Sequence, residues 1–200
     1  MFYGGFSEGT KSHIKLEGIK FSALKHIINN EELSDLVDSR TMSFDIVFNI
    51  LEAAAMLQFG RIQKQCCRFL INSMTVINVI EILGVAEHLS IQELFSKAFA
   101  FILYHFEKIA KTQGFANLEA NTLKNIVKST HLKVANETLV HDAIMRWIKM
   151  DEDSRTKHSS ELVKNLRTSE LSKQQFQDFH LINTEANQEQ GITDSSFSLN

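Results

Sequence analysis

The side chains best placed for chemistry in this sequence are a thiol pair and an imidazole–carboxylate group. Cys66 and Cys67 are adjacent. Zinc sites take cysteines in C-x₂₋₄-C spacing, and neighbours on a helix project about 100° apart. Cys66 falls on an apolar stripe with Ile62, Phe69 and Leu70, so it reads as a buried structural thiol, the usual state of free cysteine. Glu137 and His141 lie one helical turn apart, with Asp142 next door and His131 upstream. Those types could seed a carboxylate–imidazole pair or a metal site. No second histidine stands at H-E-x-x-H spacing, and an ordinary solvated i,i+4 pair is the expectation. There is no G-x-S-x-G nucleophile elbow and no G-x-x-x-x-G-K-[ST] phosphate loop. The sequence therefore predicts no catalytic residues, no bound cofactor and no metal: a protein that is not an enzyme.

The elements that carry these residues read as helices. Phe21, Leu24, Ile27 and Ile28 share one side of a short helix. From Met42 the period stays helical, with Phe44, Val47, Phe48, Leu51 and Ala55 in one stripe and Gly60 as its stop. Ile62, Cys66, Phe69 and Leu70 form the next stripe. Three pairs carry capping-box spacing: Asn78 with Glu81, Ser90 with Glu93, and Ser172 with Gln175, with Ile77/Ile82, Leu89/Leu94 and Leu171/Phe176 placed as hydrophobic staples. Leu118, Leu123, Ile126 and Val127 make a further stripe. Leu139, Val140, Ala143, Ile144 and Trp147 make another, capped by Asn136, with Trp147 as a core aromatic. Leu162, Val163 and Leu166 make a short third. Phe99 to Phe106 is apolar almost all round, which fits a central core helix or one flanked by a partner. His13 to Glu17 alternates and predicts a strand; Asn29 to Arg40 reads as a loop and 183–200 as a disordered tail. Ala54, Leu57, Ile62, Cys66, Phe69 and Leu70 recur as Ala86, Leu89, Leu94, Ala98, Phe101 and Ile102, each 32 positions on. A duplicated helical hairpin and the common grammar of antiparallel hairpins both account for the echo.

Composition narrows the function classes. Twenty-one basic and 24 acidic groups give a net charge of −3, which argues against a phosphate-neutralising surface and so against nucleic acid. The longest apolar run is seven residues, Ala98 to Tyr104, where a membrane helix needs about 20. The first residues lack a basic region followed by an apolar stretch and do not read as a signal peptide. Adjacent cysteines staple nothing long-range, so a reducing, cytoplasmic setting is expected. Proline is absent, although average usage of about 5% predicts roughly ten; helices joined by short loops fit that.

These segments resemble a known family. Met1-Phe2-Tyr3-Gly4-Gly5-Phe6-Ser7-Glu8, Ile14-Lys15-Leu16-Glu17-Gly18-Ile19, Phe21 and Ile50-Leu51-Glu52-Ala53-Ala54-Ala55-Met56-Leu57-Gln58 resemble the second half of a BTB (POZ) domain. Asn78-Val79 through Ala86-Glu87-His88-Leu89, Phe106, Phe115, Leu118, Glu137 and Trp147 are similar to the BACK domain of Kelch-like proteins. The resemblance implies a mainly α chain with at most a short strand or two: a partial BTB over residues 1–74, a helical BACK bundle over 75–182, and the tail.

It also implies a non-enzymatic adaptor. Kelch-like BTB–BACK proteins recruit a cullin-3 scaffold of ubiquitin ligases through the BTB and the first BACK helices, and a C-terminal propeller holds the substrate. The family's hydrophobic-x-Glu cullin motif is matched by Phe6-Ser7-Glu8, so Phe6 and Glu8 are the expected partner-binding residues, with a BTB partner as a second possibility. The chain starts within the family's "MF" helix, carries Asn29-Asn30-Glu31-Glu32 in place of the family's Tyr-Thr-Gly, and shows no Kelch repeats after residue 183. The expectation is a truncated or competing adaptor, the alternative a helical interaction or vestigial module with no ligase role. The Phe44, Val47, Phe48, Leu51 stripe is expected to lie uncovered as an interaction or aggregation patch, and the 75–182 region to fold better than the first seventy residues.

Overall fold

The computed structural model describes residues 18–29 and 44–166, and all regular structure among them is helical. These residues fall into two compact units divided between Asn72 and Ser73. The expected strand at His13–Glu17, the loop after Asn29, the Ser172–Gln175 cap and the tail lie outside the described residues.

The first unit holds α1 (Phe21–Asn29), α2 (Phe44–Met56) and α3 (Gly60–Asn72). α2 packs against both α1 and α3. The core is Ala23, His26 and Ile27 from α1, Val47, Ile50, Leu51, Ala53 and Ala54 from α2, and Ile62, Cys66, Cys67 and Leu70 from α3. Two expectations are corrected here. Phe21 and Ile28 are 79% and 71% exposed, so α1 turns its Ala23/His26/Ile27 face inward instead of the bulkier one. The α2 stripe is not an open patch. Val47 and Leu51 are fully buried, and Phe44 and Phe48 are half-buried. The Phe44 ring sits 6.2 Å from Phe48 and 6.3 Å from Phe69, so α3 supplies its cover.

Gly60 does not stop α2; it opens α3. The reversal is made at Gln58, whose φ is +61°. Its amide donates to the Ala55 carbonyl at 3.2 Å, and the Phe59 amide donates to the Ala54 carbonyl at 2.8 Å. That pair of bonds is the Schellman pattern, which satisfies carbonyls a helix end leaves unpaired.

The second unit begins with α4 (Val79–His88) and α5 (Gln92–Ile109), the most closely packed helix pair in it. A 3₁₀ turn at Gln113–Asn117 follows, then α6 (Ala120–Lys128), α7 (Glu137–Lys149), α8 (Glu152–Arg155), a 3₁₀ turn at Thr156–His158, and α9 (Ser159–Val163). Its core takes Ile82, Leu83 and Ala86 from α4, and Leu94, Ala98, Ile102, Phe106 and Ile109 from α5. Phe115, Leu123, Ile126, Val140, Ile144, Trp147 and Leu162 complete it. Phe106 and Phe115 meet edge to face at 5.9 Å. The Phe99–Phe106 stretch is not enclosed all round: α5 buries one face, Leu94, Ala98, Ile102, Phe106 and Ile109, while Phe99 and Phe101 are half-buried and Tyr104 is 66% exposed.

Two of the expected caps move. Ser90 is not an N-cap. It is the left-handed residue ending α4, at φ +54°, with the Ser90 amide on the Glu87 carbonyl (3.0 Å) and the Ile91 amide on the Ala86 carbonyl (2.8 Å). Asn78 precedes α4 but makes no N-cap bond to it. Instead it is the fourth residue of a box begun at Thr75. The Thr75 amide donates to Asn78 Oδ1 at 2.7 Å, and the Asn78 amide donates to Thr75 Oγ1 at 3.4 Å. Its Nδ2 donates to the Ser73 carbonyl at 3.0 Å. Ile77 is 77% exposed and so is no staple for Ile82. Asn136 does cap α7, its Oδ1 accepting from the Leu139 amide at 3.1 Å.

Candidate interaction surface

The residues singled out for chemistry are dispersed or sealed. Cys66 is fully buried, and burial, with Cys67 beside it, pushes its thiol up to about 12. A thiol held protonated is neither nucleophile nor metal ligand at neutral pH. Glu137 and His141 are not the solvated pair expected. Both are buried, His141 to 3% exposure, because this face of α7 turns into the bundle. His141 Nδ1 lies 2.8 Å from Asp142 Oδ1, whose side chain reaches solvent. His131 stands exposed before α7. Among the described residues no three His, Cys, Asp or Glu side chains are grouped to hold a metal ion. No helix among them is long and apolar enough to cross a membrane.

Trp147 is core, as its stripe position requires. Its Nε1 donates to the Leu118 carbonyl at 2.9 Å. The Arg155 guanidinium lies 4.4 Å from the ring centroid, donating through Nη1 to the Trp147 carbonyl and through Nη2 to the Ala116 carbonyl, each at 2.8 Å. This clamp ties α7 and α8 to the 3₁₀ turn. Sequence periodicity placed the Trp but carried no signal for the Arg.

A candidate docking surface is the outer face of the α4–α5 hairpin. Glu81, Gly84 and His88 are exposed at i, i+3 and i+7 along one side of α4, and Ile77 is exposed in the turn just before it. An apolar side chain heads it, a carboxylate follows, and a mid-helix glycine leaves open space, with nothing within 4 Å of a Cβ built there. Glycine inside a helix costs about 1 kcal/mol relative to alanine; on an outer face it lets a partner approach the backbone. The hairpin turn that positions the stripe repeats that of α2–α3. Gln58 and Ser90 are the 32-residue echo's left-handed pair, and both turns carry the same two bonds. Phe6 and Glu8, the sequence-derived partner residues, lie outside the described residues.

Comparison with known proteins gives this arrangement its place. The family model described as "BTB And C-terminal Kelch" (BACK) matches residues 79–180, from the start of α4 onward. The chain is similar to human Kelch-like protein 17, 31% identical over 173 residues, which is 86% of this chain and 26% of that protein. It is similar to mouse Kelch-like protein 28, 33% identical over 172 residues, 86% of this chain and 29% of the relative. Mouse Kelch repeat and BTB domain-containing protein 3 is 30% identical over 141 residues, 70% of this chain and 23% of its own length. The chain thus spans about a quarter of the length of these curated relatives. A helical hairpin at Val79, the bundle built on it, and similarity that runs through most of the sequence all agree: the chain belongs to the BACK family of Kelch-like BTB proteins.

Proposed function

We propose that the protein is a non-enzymatic adaptor that docks a cullin-3 scaffold and brings a bound protein to a ubiquitin ligase. The observation that carries this is the α4–α5 hairpin at the start of the BACK match, with Ile77, Glu81 and Gly84 on its outer face. An exposed isoleucine offers an apolar anchor, the carboxylate beside it an orienting charge, and the glycine room for close packing. Phe6 and Glu8 add a second anchor-and-charge pair in this reading. The adaptor performs no chemistry itself; it raises the local concentration of its cargo beside the ligase.

The test is capture of the cullin-3 N-terminal region by the full chain, wild type against a Phe6→Ala/Glu8→Ala double variant. Binding by wild type that weakens in the double variant supports the reading with these two residues in the contact. No binding by wild type ends it, and equal binding by both removes Phe6 and Glu8 from it.

A further inference from the structure

α5 is not straight. His105 leaves helical geometry at φ −110°, ψ 19°. At the bend the Leu103 carbonyl accepts a hydrogen bond from the Lys133 amide at 2.9 Å. One turn on, Glu107 Oε1 accepts from the Ala135 amide at 2.6 Å. The chain between α6 and α7 is thereby tied alongside the kinked end of α5 at alternate residues. Tyr104, His105, Glu107, Lys108, Leu132, Lys133 and Val134 line a groove of about 780 Å³ between the two.

The free functional groups of this groove are of one kind. Among the described residues the ammonium groups of Lys108 and Lys133 have no carboxylate partner, and the Val134 amide, between two bonded ones, has no acceptor. The single carboxylate, Glu107, is already engaged by Ala135. Tyr104 stands 66% exposed, held edge-on against the His105 ring at 4.8 Å, and His105 in turn rests on Phe101 at 4.4 Å. Leu132 and Val134 give the floor half-buried apolar surface. Two cations, one unused backbone donor and a propped aromatic ring complement an extended segment with acidic side chains rather than a basic one.

We propose that this groove binds an acidic peptide segment of a partner protein. Carboxylates of the segment pair with Lys108 and Lys133, a main chain carbonyl accepts from Val134, and an apolar side chain packs on Tyr104. Its lining residues differ from those of the α4 face, so the site stands whether or not that face docks a cullin.

The experiment uses fluorescence polarisation of the full chain with a labelled nine-residue probe alternating glutamate and leucine, and a matching lysine–leucine probe. The acidic probe is expected to bind at about 50 mM salt and to weaken toward about 500 mM as the charges are screened. A Lys108→Glu/Lys133→Glu variant should lose at least about ten-fold in affinity, by replacing attraction with repulsion. A Lys164→Glu variant, an exposed lysine elsewhere, should bind like wild type. Amide chemical shifts of wild type at residues 132–135 should move on titration, which reads the site with no variant at all. Absence of acidic-probe binding, equal binding of the lysine probe, or unmoved shifts at 132–135 would overturn the proposal.

Discussion

Gln58 and Ser90 stand 32 positions apart in the sequence and share one left-handed backbone conformation, at φ +61° and +54°. Each ends a helix with the same pair of backbone bonds, to Ala55 and Ala54 in one case and to Glu87 and Ala86 in the other. Neither is glycine, so each carries the steric cost of an L side chain in that region, about 1 kcal/mol. Gln58→Gly and Ser90→Gly should therefore each raise stability by roughly 0.5–1 kcal/mol in urea unfolding. Loss of stability in Ser90→Gly would restore Ser90 to a capping role.

The Trp147 clamp should be the most sensitive point of the second unit. Trp147→Phe leaves the buried Leu118 carbonyl without its donor and should cost about 1–3 kcal/mol. Arg155→Ala removes two hydrogen bonds and the stacked cation, and should cost about as much. Because both act on one cluster, the double variant should cost less than the sum. Strict additivity in denaturant titrations would contradict the clamp.

Cys66 should be silent in the native protein. Its thiol is buried and raised to about 12, so a thiol reagent at neutral pH should label it only after unfolding. The folded value lies above the ordinary 9.0, so the native state holds its proton more tightly than the unfolded chain. Stability from this term is whole below about pH 9 and falls as pH rises toward about 12. Cys66→Ala should flatten that alkaline slope in unfolding measured across the window, whatever it costs at pH 7. An unchanged slope would assign the alkaline loss to other groups.

The two units should differ in resistance to proteolysis. The described core of the first rests on three helices, while the second closes a larger core around Trp147, Phe106 and Phe115. Burial of apolar area is the main stabilising term, so limited proteolysis should cut before Asn72 sooner than between Val79 and Leu166. Equal rates would show the two to be equally stable.

The sequence disclosed the elements better than their ends. Stripes such as Leu123, Ile126 and Val127, or Val140, Ile144 and Trp147, repeat every three or four residues because one side of each helix meets the core, and all are buried as that period requires. Turns were harder. Gly60 carried the usual sign of a helix stop, but the left-handed position went to Gln58, where main chain bonding outweighs the preference for glycine. Ser90 and Glu93 had capping spacing, yet the serine ends the previous helix. The 32-residue echo aligns Ser90 with Gln58, which says that the two turns are alike but not that either is left-handed. His141 looked solvated because i,i+4 spacing says which residues share a face, not which way that face turns. The hold of Lys133 on Leu103, beside the kink at His105, joins residues far apart in the chain, and no local pattern encodes it.

The adaptor reading is tested most directly by calorimetric titration of the cullin-3 N-terminal region into the full chain, wild type against Ile77→Asp. Ile77 is exposed and outside the core, so the variant should unfold like wild type. The account predicts saturable binding by wild type and a loss of at least about ten-fold in the variant, as for a truncated apolar anchor. Absence of heat with wild type, or identical affinity for the two proteins, would contradict it.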